Sequence, residues 1–164
     1  MKRILFVDDK PKIKLNSAIT YLENRKVDFT YAIKNSVNSA LLYLDTHKDE
    51  IDLVVLDLGL PQFDDGTGYK ELNGLFVMER LFKETYNIPV VINSTTKIPD
   101  GKNRLKPYID QGAIIQHLHY LYGEWLFEFL KKIWQKKIAL IIWCDFFTFW
   151  SDYRTGMRKN ITAM

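Results

Sequence analysis

Residues 51–61, IDLVVLDLGLP, limit what this chain can fold into more than any other stretch. Leu53, Val54, Val55, Leu56 and Leu58 enclose a single carboxylate, Asp57, that packing alone gives no reason to place there. The run is too short to span a membrane and rich in branched side chains, the pattern of a strand buried on both faces of a parallel sheet. Asp57 then falls at the C-terminal end of that strand, the edge at which open α/β sheets place their ligands. A second apolar run, residues 3–7 (RILFV), ends in Asp8 and Asp9. Two adjacent parallel strands that end this way bring three carboxylates together.

Such a cluster is costly. Two like charges about 4 Å apart repel by roughly 4 kcal/mol at an effective dielectric near 20, equivalent to about three pKa units. Either one acid is protonated or a cation neutralises the group. Two or three carboxylates, a backbone carbonyl and several waters suit octahedral Mg²⁺, a hard cation that keeps part of its hydration shell and often carries a phosphate. The plainer alternative, that the acids only cap loops and helix ends, leaves unexplained why they close two apolar strands.

The 164 residues, 47% hydrophobic and 26% charged, suffice for one domain with a full core and a modest extension. A single cysteine, Cys144, excludes an internal disulfide and favours a reducing compartment. The apolar N-terminal stretch is cut off by Asp8 and Asp9 too early for a signal peptide, so a cytoplasmic protein is expected. The net charge of +3 is unevenly held, because residues 131–164 carry 7 basic and 2 acidic side chains.

Taken in order, the chain alternates strand and helix. Leu15, Ala18, Ile19 and Leu22 mark one helix face, with Pro11 in its first turn. Residues 27–32 (VDFTYA) read as a second strand, and Asn35 and Ser36 cap a helix striped by Val37, Ala40, Leu41 and Leu44. After the central strand, residues 62–73 form a loop longer than usual for such a connection. Its Gly66-Thr67-Gly68 reads as a plain turn, with a phosphate-approaching backbone as the sharper alternative, and Asp64 and Asp65 read as a solvated rim. A helix with Leu75, Met78 and Phe82 on one face follows, then a strand over 88–93 leading to Ser94. Pro99, Gly101 and Pro107 leave room for at most two helical turns near 103–110. A fifth strand over 112–119 and a helix over 123–136 complete the pattern. Alternation of this kind predicts an α/β fold, a doubly wound parallel sheet with helices on both faces.

Residues 4–11 (ILFVDDKP), 57–61 (DLGLP), 88–94 (IPVVINS) and Gly112-Ala113, in that order, resemble the receiver domains of bacterial two-component response regulators. The resemblance covers about residues 2–134. It implies a flavodoxin-like, five-stranded sheet of order 2-1-3-4-5. It also implies that Asp57 accepts a phosphoryl group from a histidine kinase or phosphotransfer protein. Asp9 and Asp57 would bind Mg²⁺ directly, Asp8 through water, and the backbone carbonyl of Gly59 would complete the set. Ser94 would be the switch hydroxyl that turns toward the phosphoryl group. A downstream protein would recognise the face formed by the fourth strand, the short fourth helix and the fifth strand.

The chain departs from the family pattern where a lysine followed by proline is usual. His119 and Tyr120 stand there, and a histidine, with a pKa about four units lower, is only about a quarter charged at pH 7 unless acids raise it. Lys97 or Lys102 could substitute. Gln116 replaces the usual aromatic switch residue. His117 and His119, two apart on a strand, share a face and could bind a transition metal, but no third ligand is evident; plain strand-end histidines are the expected reading. His47, at a helix end, is explained by the helix dipole.

The expected organisation is a receiver domain over 1–136 and an aromatic-rich, basic extension over 137–164. The apolar part of that extension, 138–150, is too short to cross a bilayer. It is expected to cover apolar surface, with a homodimer contact or a weak membrane-surface contact as alternatives. No helix-turn-helix or zinc spacing is present, so no specific nucleic-acid partner is expected. The function expected is a stand-alone receiver that signals through protein contacts and is not an enzyme in its own right. A degenerate pseudo-receiver acting as a phosphorylation-independent adaptor is the alternative. A metal-dependent phosphohydrolase of similar topology would carry its nucleophilic aspartate on the first strand, not the third.

Overall fold

The computed structural model describes residues 1–83, 88–95, 105–110, 114–118 and 123–135. The chain divides into two compact units, Met1–Phe127 and Glu128–Met164. The tail over 137–164 lies outside the described residues. Among the described residues, no helix is long and apolar enough to cross a membrane.

The first unit is built on a parallel sheet with α/β connectivity. Strands β1 (Lys2–Val7), β2 (Phe29–Lys34), β3 (Leu53–Leu56) and β4 (Val90–Asn93) lie in the spatial order β2-β1-β3-β4. A segment β5 (Ile114–Leu118) runs parallel beside β4, with a register irregularity at Val90/Val91. Between the strands come α1 (Pro11–Lys14), α2 (Asn16–Asn24), α3 (Val37–His47), α4 (Gly74–Lys83) and α5 (Lys106–Asp110). The last helix, α6 (Gly123–Gln135), runs across the unit boundary.

Alternation along the strands sorts the core into two layers. Leu5, Val7, Val54, Leu56, Val90 and Ile92 pack in one cluster with Val37, Ala40 and Leu44 of α3 and with Leu75, Val77, Met78 and Leu81 of α4. Ile4, Phe6, Leu53, Val55 and Val91 point the other way and are as deeply buried. Leu15, Ala18, Ile19 and Leu22 of the α1–α2 stretch are buried as well, outside the first cluster. All four residues of β3 are buried, as a strand covered on both faces requires.

Several boundaries differ from the sequence reading, each for a local reason. The first helix is divided at Leu15, whose φ of −107° opens the turn between α1 and α2, although the stripe it carries is buried as expected. Strand β2 starts at Phe29 because Lys26 takes a left-handed backbone and the Val27 N–H bonds back to the Leu22 carbonyl. The buried face of α4 is wider than Leu75 and Met78, since Val77 and Leu81 are also covered. Phe82 is half-buried and meets the Tyr108 ring edge-on at 5.1 Å. His47 ends α3 stacked on Tyr43 at 4.2 Å, with its Nδ1 beside Thr46 Oγ1. That stacking fixes its place as much as the helix end does.

Phe6 is fully buried and meets the Tyr31 ring edge-on at 6.1 Å. Phe6→Ala is expected to lower stability in chemical denaturation by about 3–5 kcal/mol. Leu42, 68% exposed on α3, should tolerate Leu42→Ser within about 0.5 kcal/mol.

Candidate metal centre

The acids reach one place because two neighbouring strands stop together. Val7 pairs with Leu56, and the Asp57 N–H donates to the Val7 carbonyl at 2.8 Å, so Asp8 and Asp57 leave the sheet side by side. The Asp8 N–H donates in turn to the Lys34 carbonyl of β2 at 3.0 Å. One carboxylate oxygen from each of Asp8, Asp9 and Asp57 lies within 4.8 Å of the others. Asp8 and Asp57 are buried, whereas Asp9 is partly open to solvent.

The donor set fits a hard divalent cation. Opposite oxygens on an ion bonded at about 2.1 Å are about 4.2 Å apart, so small rotations of these side chains would close the cluster on one ion. All three donors are carboxylate oxygens, the ligands such ions prefer. Asp57 Oδ1 accepts from the Gly59 N–H at 3.0 Å and Asp8 Oδ1 accepts from the Lys10 N–H at 2.7 Å, which holds both carboxylates close to this arrangement. The exposed Lys10 ammonium lies 3.7 Å from Oδ2 of the partly buried Asp9.

The backbone beyond Asp57 is pinned residue by residue. Leu58 O accepts from Gly74 N at 2.9 Å, Leu60 O from Asn73 Nδ2 at 2.9 Å, Pro61 O from Val37 N at 3.0 Å and Gln62 O from Asn38 N at 3.1 Å. Among the described residues, none donates to the Gly59 carbonyl, the one carbonyl in this run without such a bond. Gly74 opens α4 hard against the same backbone. A Cβ there would lie 2.3 Å from the Asp57 carbonyl oxygen and 2.8 Å from Leu58 Cα.

The long loop after Pro61 is ordered by its own polar groups. Lys70 bridges to Leu60, and Thr67 O accepts from the Gln62 N–H at 3.0 Å. Gly68, at φ +70°, makes a turn that an L side chain would strain. Asp64 and Asp65 are exposed, as a solvated rim requires, and Asp64 Oδ1 also accepts from the buried Ser36 hydroxyl at 2.7 Å at the N-cap of α3. Asp65 is exposed and turns back on its own loop. The Thr67 N–H, followed by the Thr67 side chain, holds its carboxyl below the ordinary carboxylate value.

Ser94 is buried just past the end of β4. Because Leu56 pairs with Ile92, it leaves the sheet at the same edge as Asp57. Gln116 and His117 stand opposite Val91 and Ile92 in the ladder. His119, Lys97 and Lys102 lie outside the described residues, and with His119 the reading of His117 and His119 as plain strand-end histidines and its metal-binding alternative. The sequence reading missed Asn73, buried at the exit of the long loop. Its only signal was a polar residue wedged between an apolar leucine and a helix-opening glycine.

No protein-family model matches this sequence, and no curated protein matches it. Solved structures do. A CheY-like response regulator receiver domain protein from Methanospirillum hungatei is 21% identical at a TM-score of 0.59, the match covering 82% of this chain and 95% of that one. The chain has the fold of a response regulator receiver domain. A receiver domain protein from Clostridium thermocellum aligns over 84% of this chain and 97% of its own, at 19% identity and a TM-score of 0.59. The response regulator TrrA from Thermotoga maritima, solved in complex with Mg²⁺ and BeF, aligns over 81% and 99% at 21% identity and a TM-score of 0.53. Within this receiver fold the Asp8, Asp9 and Asp57 cluster is a set that could hold a metal ion.

The contact between Gly74 and the Asp57–Leu58 backbone yields a test. Gly74→Ala forces a backbone shift and is expected to cost about 1–3 kcal/mol in thermal or denaturant unfolding. Gly66→Ala, with nothing within 4 Å of the added carbon but a φ of +87°, should lose only about 1 kcal/mol, from backbone strain.

Proposed function

We propose that this chain is a phosphorylation-controlled signalling receiver that takes a phosphoryl group onto Asp57 from a histidine kinase or phosphotransfer protein. The observation that carries the reading is the convergence of Asp8, Asp9 and Asp57 within 4.8 Å at the C-terminal edge of a receiver-fold sheet. The full architecture is then the five-stranded order 2-1-3-4-5, a receiver over 1–136 and an extension over 137–164. The protein would work in the cytoplasm.

In this reading Asp57 is the nucleophile. A carboxylate oxygen attacks the phosphorus, the bond from phosphorus to the donor's imidazole nitrogen breaks, and the electron pair leaves with that nitrogen. The Gly59 N–H on Oδ1 holds the carboxylate in one orientation. Asp9, Asp57 and the Gly59 carbonyl would hold Mg²⁺ directly and Asp8 through water. Bound there, Mg²⁺ would offset the charge of the three acids and of the transferring oxygens. Ser94 would donate its hydroxyl to a phosphoryl oxygen that exists only after transfer. A contact made in one state alone is what biases a two-state switch. The signal would pass to a partner protein, and the chain would turn over no other substrate. His119 would stand in for the usual cationic phosphate partner.

The competing adaptor reading, a pseudo-receiver indifferent to phosphorylation, draws on Gln116 and His119 in place of the usual aromatic and lysine. One experiment separates the two. After incubation with acetyl phosphate and Mg²⁺, the intact mass is expected to rise by one phosphoryl group, and to stay unchanged for Asp57→Asn or without Mg²⁺. A folded wild-type protein that gains no mass at saturating Mg²⁺ would favour the adaptor.

A further inference from the structure

We infer that Asn73 is a positioning residue for the metal centre, and that through it the long loop after Pro61 sets the cation affinity of the site; the inference rests on the metal reading above. The Gly59–Leu60 peptide carries the one carbonyl in the 58–62 run that no described group engages. That peptide is planar, so the direction of the Gly59 carbonyl depends on the torsions at Gly59 and Leu60. Gly59 is permissive by itself, since a residue without a Cβ leaves both torsions loose. Its direction must therefore come from the groups that pin either side.

On the upstream side the pins are the Gly59 N–H on Asp57 Oδ1, at 3.0 Å, and the Gly74 N–H on Leu58 O, at 2.9 Å. Downstream, the Lys70 N–H reaches Leu60 O only at 3.4 Å, whereas Asn73 Nδ2 reaches it at 2.9 Å. Asn73 is the stronger clamp. The same Nδ2 donates to Gly68 O at 2.8 Å, and Asn73 is 3% exposed. One buried amide therefore ties two carbonyls, one beside the candidate ligand and one at the turn of the loop. Loss of the buried amide would leave Leu60 O with only the long Lys70 bond. Asp64, by contrast, anchors the loop to Ser36 on α3 and touches none of the carbonyls from 58 to 62.

A clamp of this kind acts as groups behind metal ligands do, where loss changes affinity about 10–100-fold. In calorimetric titration of the full chain with MgCl₂, Asn73→Ala is expected to weaken Mg²⁺ binding about tenfold or more. Its acetyl phosphate labelling at saturating Mg²⁺ should stay within about threefold of wild type, since Asp57 itself is untouched. Asp64→Ala should leave the Mg²⁺ affinity within about twofold although it also loosens the loop. In the wild-type protein, the Asn73 side-chain amide resonances should move when Mg²⁺ is added, a readout that needs no variant to fold. A folded Asn73→Ala with wild-type Mg²⁺ affinity, equal weakening by Asp64→Ala, or amide resonances that ignore Mg²⁺ would each overturn the inference. A wild-type protein that binds no Mg²⁺ would instead overturn the metal reading beneath it.

Discussion

The repulsion among three carboxylates is the constraint on which this structure turns. Asp8 and Asp57 are buried at the ends of adjacent strands, with Asp9 at their side. One oxygen from each lies within 4.8 Å of the others, close enough for ionised carboxylates to repel on the scale of a few kcal/mol, against roughly 5–15 kcal/mol that holds a domain folded. The surrounding fold is arranged to keep the cluster together in spite of that cost. The ladder between β1 and β3 fixes where the acids emerge, and the Gly59 and Lys10 N–H groups fix how two of the carboxylates point. A divalent cation held there would offset that repulsion.

The second level of organisation is the backbone beyond Asp57. Gly74 lets α4 approach the Asp57–Leu58 peptide more closely than any side chain would permit. Helix α3 supplies the Val37 and Asn38 N–H groups that hold Pro61 and Gln62. The apolar core under α3 and α4 therefore positions the site through the helix starts. Packing fixes the helices, the helices hold the carbonyls of Leu58, Pro61 and Gln62, and Gly59 keeps the one carbonyl of the 58–62 run that no described group engages. The long loop adds a layer stabilised by polar bonds more than by burial, since residues 63–71 are exposed.

The parts of this arrangement legible in the sequence were those with a period or a charge out of place. An aspartate closing an apolar run marked Asp57, and the same signal marked Asp8 and Asp9. Helix stripes foretold the burial of Leu15, Ala18, Leu22, Val37, Ala40 and Leu44. Ser36 was readable as a cap, and it caps α3 through the Ser39 N–H. The loop was not legible, because its order comes from single side-chain bonds at no fixed spacing. Nothing in the residues 62–73 announces that Asp64 reaches Ser36, 28 positions away, or that Asn73 closes on Leu60 and Gly68. The start of β2 was missed for a similar reason, since a left-handed Lys26 is an unusual choice for an L residue.

The claim at the centre of this account is that the buried acids are a divalent cation site. It is tested most directly by a crystal grown with Mn²⁺, which takes the same oxygen ligands as Mg²⁺ and is visible by its anomalous scattering. The account predicts one strong peak among Asp8, Asp9 and Asp57, bonded to the carboxylates of Asp9 and Asp57 and to the Gly59 carbonyl. An ordered site with no peak at saturating Mn²⁺, or with the Lys10 ammonium turned in among the acids instead, would contradict it.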